Sequence, residues 1–377
     1  MNLAAVMAAI RADPADDEPR LVWSDAIGGE RGELVAIQCL LARGGHTPER
    51  ARGLRERESE LIRLHGREWS ELAGFAQRCT FRRGFVDSIV MRAGEWSVAD
   101  VFGRAPLATT IVIERATAES VEAFLRDPDW QALPAIGFNV QRDEWITLRL
   151  FDRLAREDLS HLRGFEVLTG ALDPVALPFL PECVHLRLWL PQTGLDGMLA
   201  PWLRRMKKLR ALHVQQLGRR DIDLPAHLVE LGASWVDEAD MPVTLQRLKQ
   251  LVRLRAFGRF SIANLERMCP HLQALDVARA KVHTDPNGLA FAKTRVPGLR
   301  ELAWQNGGKG TIALAHAFGA QLELFDPGIS EYPIELREMI AGQLVAEADH
   351  FTWAASGFLT PRCELAEPWL GQIAVSM

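Results

Sequence analysis

Histidine and cysteine are the residues of this chain with the most intrinsic chemistry, and their spacing brings none of them together. The ten histidines form no HxxxH, HxH or HExxH pattern, so no zinc or iron site is expected. His185 and His213 could approach each other on neighbouring strands, but a lone surface or core histidine is the commoner case. Cys39, Cys79, Cys183, Cys269 and Cys363 lie far apart without a CxxC pair. Such an odd, scattered set reads as reduced thiols of a cytosolic protein, packed as small apolar groups. No Gly-x-Ser-x-Gly elbow occurs, and no cysteine has a local nucleophile signature. Gly307-Gly308-Lys309-Gly310-Thr311 has the composition of a phosphate loop without the GxxxxGK[ST] spacing that converges amides and lysine on phosphate. A turn explains it, as it explains Gly28-Gly29-Glu30-Arg31-Gly32. Asp16-Asp17-Glu18 opens a helix, where the dipole favours negative charge. The expectation is no catalytic residue, no cofactor and no metal.

Recognition chemistry is better represented. Arg187, Trp189, His213, Gln215, Arg253, Arg255, Phe257 and Phe325 combine aromatic area with forked hydrogen-bond donors, the groups that anchor protein interfaces. Their position follows from a repeat, Leu-x-x-Leu-x-hydrophobic, at Leu209, Leu228, Leu251, Leu272 and Leu299, with weaker relatives at Leu162, Cys183 and Leu322-Glu323-Leu324. Successive copies start 19, 23, 21 and 27 residues apart, in or near the range of about 20–29 expected of leucine-rich repeats, although the Asn or Cys of the repeat turn is largely missing. Each copy makes one short strand whose leucines point inward and whose x residues point outward.

Stacking the strands aligns the outward residues in rows. One is Glu166, Arg187, His213, Gly232, Arg255, Asp276, Ala303, Glu323. The next is Leu168, Trp189, Gln215, Ser234, Phe257, Ala278, Gln305, Phe325. The preceding one is Gly164, His185, Ala211, Glu230, Arg253, Ala274, Glu301. Segments around 197–203, 243–248, 262–268 and 312–318 have helical apolar spacing and supply the other wall. Residues 81–92 and 109–114 are expected to start the sheet, because they are rich in β-branched types.

Before the repeats come four helical segments, near 2–12, 20–27, 32–42 and 48–65, separated by Asp13-Pro14, Gly28-Gly29 and Gly44-Gly45. The last is so charged that most of it is expected to face water. Asp13-Pro14-Ala15-Asp16-Asp17-Glu18-Pro19-Arg20-Leu21-Val22-Trp23-Ser24-Asp25, Arg31-Gly32-Glu33-Leu34-Val35-Ala36-Ile37-Gln38-Cys39, the stretch Leu61 to Trp69 and the stretch Phe81 to Val86 occur in that order. This arrangement resembles the bacterial repeat-companion domain, over about a quarter of the chain, with a shorter link (Ala26 to Glu30) than the family has. The resemblance implies a helical module ahead of leucine-rich-type repeats and a role in recognition, with no catalytic residues to transfer.

The chain has 377 residues, 48% of them hydrophobic and 25% charged, with a net charge of −5. That composition belongs to a folded soluble protein, and its acidic balance argues against nucleic acid, which needs a basic stripe. Arg187, Arg204, Arg205, Lys207, Lys208, Arg253 and Arg255 would have to merge to form one. The apolar amino terminus lacks a basic n-region and meets Arg11 and Asp13 at once, so a first helix is expected and not a signal peptide. No uncharged stretch reaches the ~18 residues of a membrane span.

The expected organisation is α/β: a helical repeat-companion domain at 1–78, an irregular leucine-rich-repeat-like αβ solenoid with a parallel concave sheet at 79–332, and a capping segment at 333–377. The expected function is a cytoplasmic, non-enzymatic adaptor, sensor or complex component binding another protein on the concave face. The alternative is an enzyme or small-ligand protein using the junction between the helical domain and the first repeats, recognisable by convergent titratable groups.

Overall fold

The computed structural model describes residues 2–326 apart from internal stretches, the longest being 141–149, 169–177, 190–198, 283–290 and 305–313. The expected cap at 333–377 and the Gly307–Thr311 turn lie outside the described residues. The chain is mixed α/β, with a 12-stranded sheet whose strands follow chain order almost throughout.

Four helices come first: α1 (Leu3–Ala12), α2 (Glu18–Ile27), α3 (Gly29–Arg43) and α4 (Pro48–Trp69). Asn2 caps α1 and Thr47 caps α4, each side-chain oxygen accepting from the first-turn amides. Pro19 and Pro48 occupy opening positions where a missing N–H costs nothing. Ile10, Val35, Cys39 and Phe85 form one apolar cluster; Leu34, Ile37 and Leu61 form another against Phe81. Both clusters dock helices on the first hairpin. The charged α4 is less exposed than its composition implies, since Ala51, Arg52 and Glu58 are buried as well as Leu61.

That hairpin joins β1 (Ala76–Arg82) to β2 (Phe85–Arg92), an antiparallel pair turning at Arg83 and Gly84, both with positive φ. Strained Arg83 is held by an ion pair to Asp17 at 2.9 Å and by donating to the Pro14 carbonyl. From β2 onward every pairing in the large sheet is parallel. β3 (Thr110–Ala116), β4 (Ala135–Val140), β5 (Gly164–Leu168), β6 (His185–Trp189) and β7 (Ala211–Val214) follow in turn. Next come β8 (Glu230–Ala233), β9 (Arg253–Ala256), β11 (Ala274–Asp276), β13 (Glu301–Ala303) and β14 (Leu324–Asp326). Strands β10 (Gly258–Phe260) and β12 (Ala280–Val282) make a separate parallel pair that the sequence did not suggest.

The leucines lie where alternation puts them. Leu212, Leu231, Leu254, Leu275 and Leu302 are all buried, as are Leu209, Leu228, Leu251, Leu272 and Leu299. Burying each contributes about 1.5–3 kcal/mol. One continuous core runs from Val86 to Leu322. Short helices close it: α5 (Val98–Arg104), α6 (Ala118–Arg126), α7 (Leu199–Leu203), α8 (Asp240–Arg247) and α9 (Leu265–Met268). Ser97 with Asp100, and Thr117 with Ser120, form reciprocal capping boxes on α5 and α6.

Register overturns one expectation. Leu302 pairs with Phe325 and Ala303 with Asp326, so Phe325 takes the register of an inward leucine and not of the expected outward row. The reason lies in the motif itself. Leu322, which is buried, takes the part that Leu299 plays one repeat earlier, and Leu322-x-x-Phe325 continues Leu299-x-x-Leu302. Among the described residues, no helix is long and apolar enough to cross a membrane.

Candidate functional site

The second face of the sheet carries three rows of side chains, and backbone register assembles two of them as the repeat spacing requires. The row nearest the strands' amino ends runs Gly164, His185, Ala211, Glu230, Arg253, Ala274, Glu301. The middle row runs Glu166, Arg187, His213, Gly232, Arg255, Asp276, Ala303. At the carboxyl end, Leu168 pairs with Trp189, and Gln215, Ser234 and Phe257 follow their own strands.

Charges on the first two rows pair with one another. Arg187 Nη1 lies 3.4 Å from Glu166 Oε1, His213 Nε2 lies 2.5 Å from Glu230 Oε1, and Arg255 Nε donates to Asp276 at 2.6 Å. Arg253 donates to Glu301 at 3.0 Å, reaching past Ala274 on the intervening strand, where a short side chain leaves the path open. Gly232 has a similar role. A Cβ there would sit 2.6 Å from His213 Nδ1, so only glycine lets the imidazole lie across this strand toward Glu230. Glu230, Arg253, Arg255, Asp276 and Glu301 line a cavity of about 20 Å³, room for one water.

Helix α4 reaches the β13 end of the amino-end row. Arg55 on α4 pairs with Glu301 at 3.3 Å, and Arg52 donates to the Leu322 carbonyl at 2.7 Å. At the near end Gln38 donates to Glu58 and accepts from the Gly84 amide. Exposure differs across the face: Glu166, His185, Glu230 and Glu301 are buried, whereas Trp189, Gln215, Ser234 and Phe257 are half-buried.

Burial sets the titration of this face. It pushes Glu166 up to about 7, with Arg187 opposing, and His185 down to about 3. Burial also lowers His213. For Glu230 burial alone would raise the carboxyl, but His213, Arg253 and Arg255 outweigh it and take it down to about 2.

Opposite pH dependences follow. A His185 that stays neutral stabilises the fold above the free histidine range, and this is lost as pH falls from 6.5 toward 3. A protonated Glu166 stabilises it below 4.5, and this is lost as pH rises through 7. Between pH 5 and 8 the parent should therefore lose about 2 kcal/mol more than Glu166→Gln. Denaturant unfolding of both proteins at the two pH values measures the difference; curves that shift in parallel would mean that water reaches this carboxylate.

Four of the expected site residues, Arg187, His213, Arg253 and Arg255, thus belong to one internally paired network. Trp189 and Phe257 meet each other edge to face, ring centroids 5.1 Å apart, and Trp189 packs on Leu168, Val90 and Val112. Gln215 lies between them in the strand order, its carbonyl accepting from Ser234. Glu166, His185, Glu230, Asp276 and Glu301 stood in the rows but were passed over, although alternating charge sign along a row is the signal for cross-strand pairs. Arg52 and Arg55 carried no comparable signal. Among the described residues no group of three His, Cys, Asp or Glu side chains could hold a metal ion. No protein-family model and no curated protein matches this chain.

Proposed function

We propose that this chain is a protein-interaction module without a reaction of its own, serving a bacterial cell as an adaptor, sensor or complex component. The architecture behind this reading is a small repeat-companion-like helical domain leading into an irregular leucine-rich-type solenoid. Strands added in chain order, with leucine spacing inside and rows outside, support it. So does the contact between Trp189 and Phe257, which sit three strands apart. Side chains from that separation touch most easily where the sheet is concave toward them.

One observation carries the binding reading. On a face whose charges are already paired, the aromatic pair at the carboxyl-end rim remains half-exposed. Rigid aromatic surface of this kind is what interface hot spots are made from. Arg253 and Arg255 are neutralised by Glu301 and Asp276, which weakens the case for nucleic acid. The docking surface we favour is therefore narrower than the whole face and centres on Trp189, Gln215 and Phe257.

The enzyme alternative has displaced titratable groups in its favour, but around Glu230 the described residues leave little room for a substrate. The cavity beside Glu230 fits a water, and Cys39 at the helix–sheet junction is pushed up to about 12 by burial, leaving an unreactive thiol.

The test is capture of partners from the native host, followed by titration of the purified partner. Trp189→Ala and Phe257→Ala should each weaken binding about thirtyfold, roughly 2 kcal/mol. Phe179→Ala, which alters another exposed ring, should leave it unchanged. Undiminished binding by both rim variants removes this surface from consideration.

A further inference from the structure

The turns that enter β6, β7, β8, β9, β11 and β13 are built alike. Each is closed by one bond, an amide donating to the carbonyl three residues back at 3.0–3.3 Å. The donor stands two residues before His185, Ala211, Glu230, Arg253, Ala274 or Glu301, which pair in register from strand to strand. The turn tips therefore line up as a ledge along the amino-end edge of the sheet, about 5 Å from one to the next.

Positive charge collects on this ledge. Arg204, Arg205, Lys207 and Lys249 are exposed, and neither they nor Arg210 have a carboxylate partner among the described residues. Arg210 reaches toward the tip before β9, donating to the His227 carbonyl at 3.3 Å and to Gln250 at 3.4 Å. Arg205 lies over the exposed ring of Phe179, 4.9 Å from its centroid. Burial, then Arg210 and Lys207, lower His227, so these cations stand close enough to feel one another. Two acids of these repeats are already engaged, Glu182 by Lys208 and Asp223 by Arg247. The chain as a whole carries −5, yet this edge holds cations that repel each other.

We propose that the ledge binds a short acidic segment of a second partner protein, whose carboxylates span Lys207 and Lys249. The tip before β6 carries Glu182, and those before β11 and β13 carry Pro270-His271 and Pro297-Gly298. Lysines thus stand only on the tips before β7 and β9, about 10 Å apart. One carboxylate cannot serve both, whereas an extended run of about three or four acidic residues reaches from one to the other. Nucleic acid fits less well, because its phosphates would continue past the lysines along a chain of net negative charge. The ledge lies at the opposite ends of the strands from Trp189 and Phe257, so it does not rest on the rim reading.

Fluorescence anisotropy of a labelled hexaglutamate peptide, titrated with the full-length protein at low ionic strength, tests this. Lys207→Gln/Lys249→Gln should weaken binding about tenfold and leave thermal melting at the parent value. Arg11→Gln/Arg63→Gln removes two exposed charges from the helices and should bind as the parent does. Trp189→Ala should also bind as the parent does, so that failure of the rim and failure of the ledge are told apart. The assignment is overturned if the ledge variant keeps parent affinity or if the helix variant loses as much. It is overturned too if a single-stranded oligonucleotide of the same charge binds more tightly than the peptide and depends on the same two lysines.

Discussion

Glu301→Ala is expected to cost about 3–5 kcal/mol of unfolding free energy. The carboxylate is 5% exposed and serves two cations at once, Arg253 from β9 at 3.0 Å and Arg55 from α4 at 3.3 Å. Truncation leaves both guanidinium groups in a covered site without the acceptor they share. The penalty is then the desolvation of two charges, well above the value of one surface pair. Asp276→Ala, which removes one partner from the less covered Arg255, should cost less. Urea unfolding of both variants gives the comparison; equal losses would show that the helices do not seal the amino-end row.

Gly84→Ala is expected to destabilise by a similar amount for a steric reason. Gly84 has φ +83°, a conformation that costs an L-residue about 1–2 kcal/mol. An added Cβ would also overlap the Val35 side chain and lie 2.8 Å from the Val35 Cα. Backbone cannot rotate away, so helix α3 would have to lift from the hairpin, adding roughly 1–3 kcal/mol of overpacking. The Gly84 amide donates to Gln38 at 2.6 Å, and lifting α3 breaks that bond as well. Thermal melting should show a clear fall for Gly84→Ala and none for Gly53→Ala. A Gly84→Ala protein that melts with the parent would place α3 away from this turn.

The repeat was legible because leucine spacing and strand register are the same physical fact. Every inward leucine of the five strongest copies is buried, and the rows built from them match the pairing from Glu166 to Ala303. β4 could have been found the same way, since Ile136, Phe138 and Val140 alternate, but no Leu-x-x-Leu flags it. Phe325 was misplaced because Leu322-Glu323-Leu324 reads equally as the closing Leu-x-hydrophobic of the motif, and only pairing with β13 shows that Leu322 opens it. The partners of Arg52 and Arg55 could not be read at all. A charged helix looks alike whether its arginines meet water or a carboxylate 246 residues away, and separation on that scale leaves no local pattern.

The same separation has a thermodynamic meaning. Contacts within the large sheet join each strand to its immediate neighbours, and a string of nearest-neighbour contacts melts inward from its tips. The Arg55–Glu301 bond ties the first elements to one of the last described strands and makes the string a closed circuit. Neither tip can then peel away without first opening a contact at the other, so the array gains all-or-none unfolding from one carboxylate shared by two arginines.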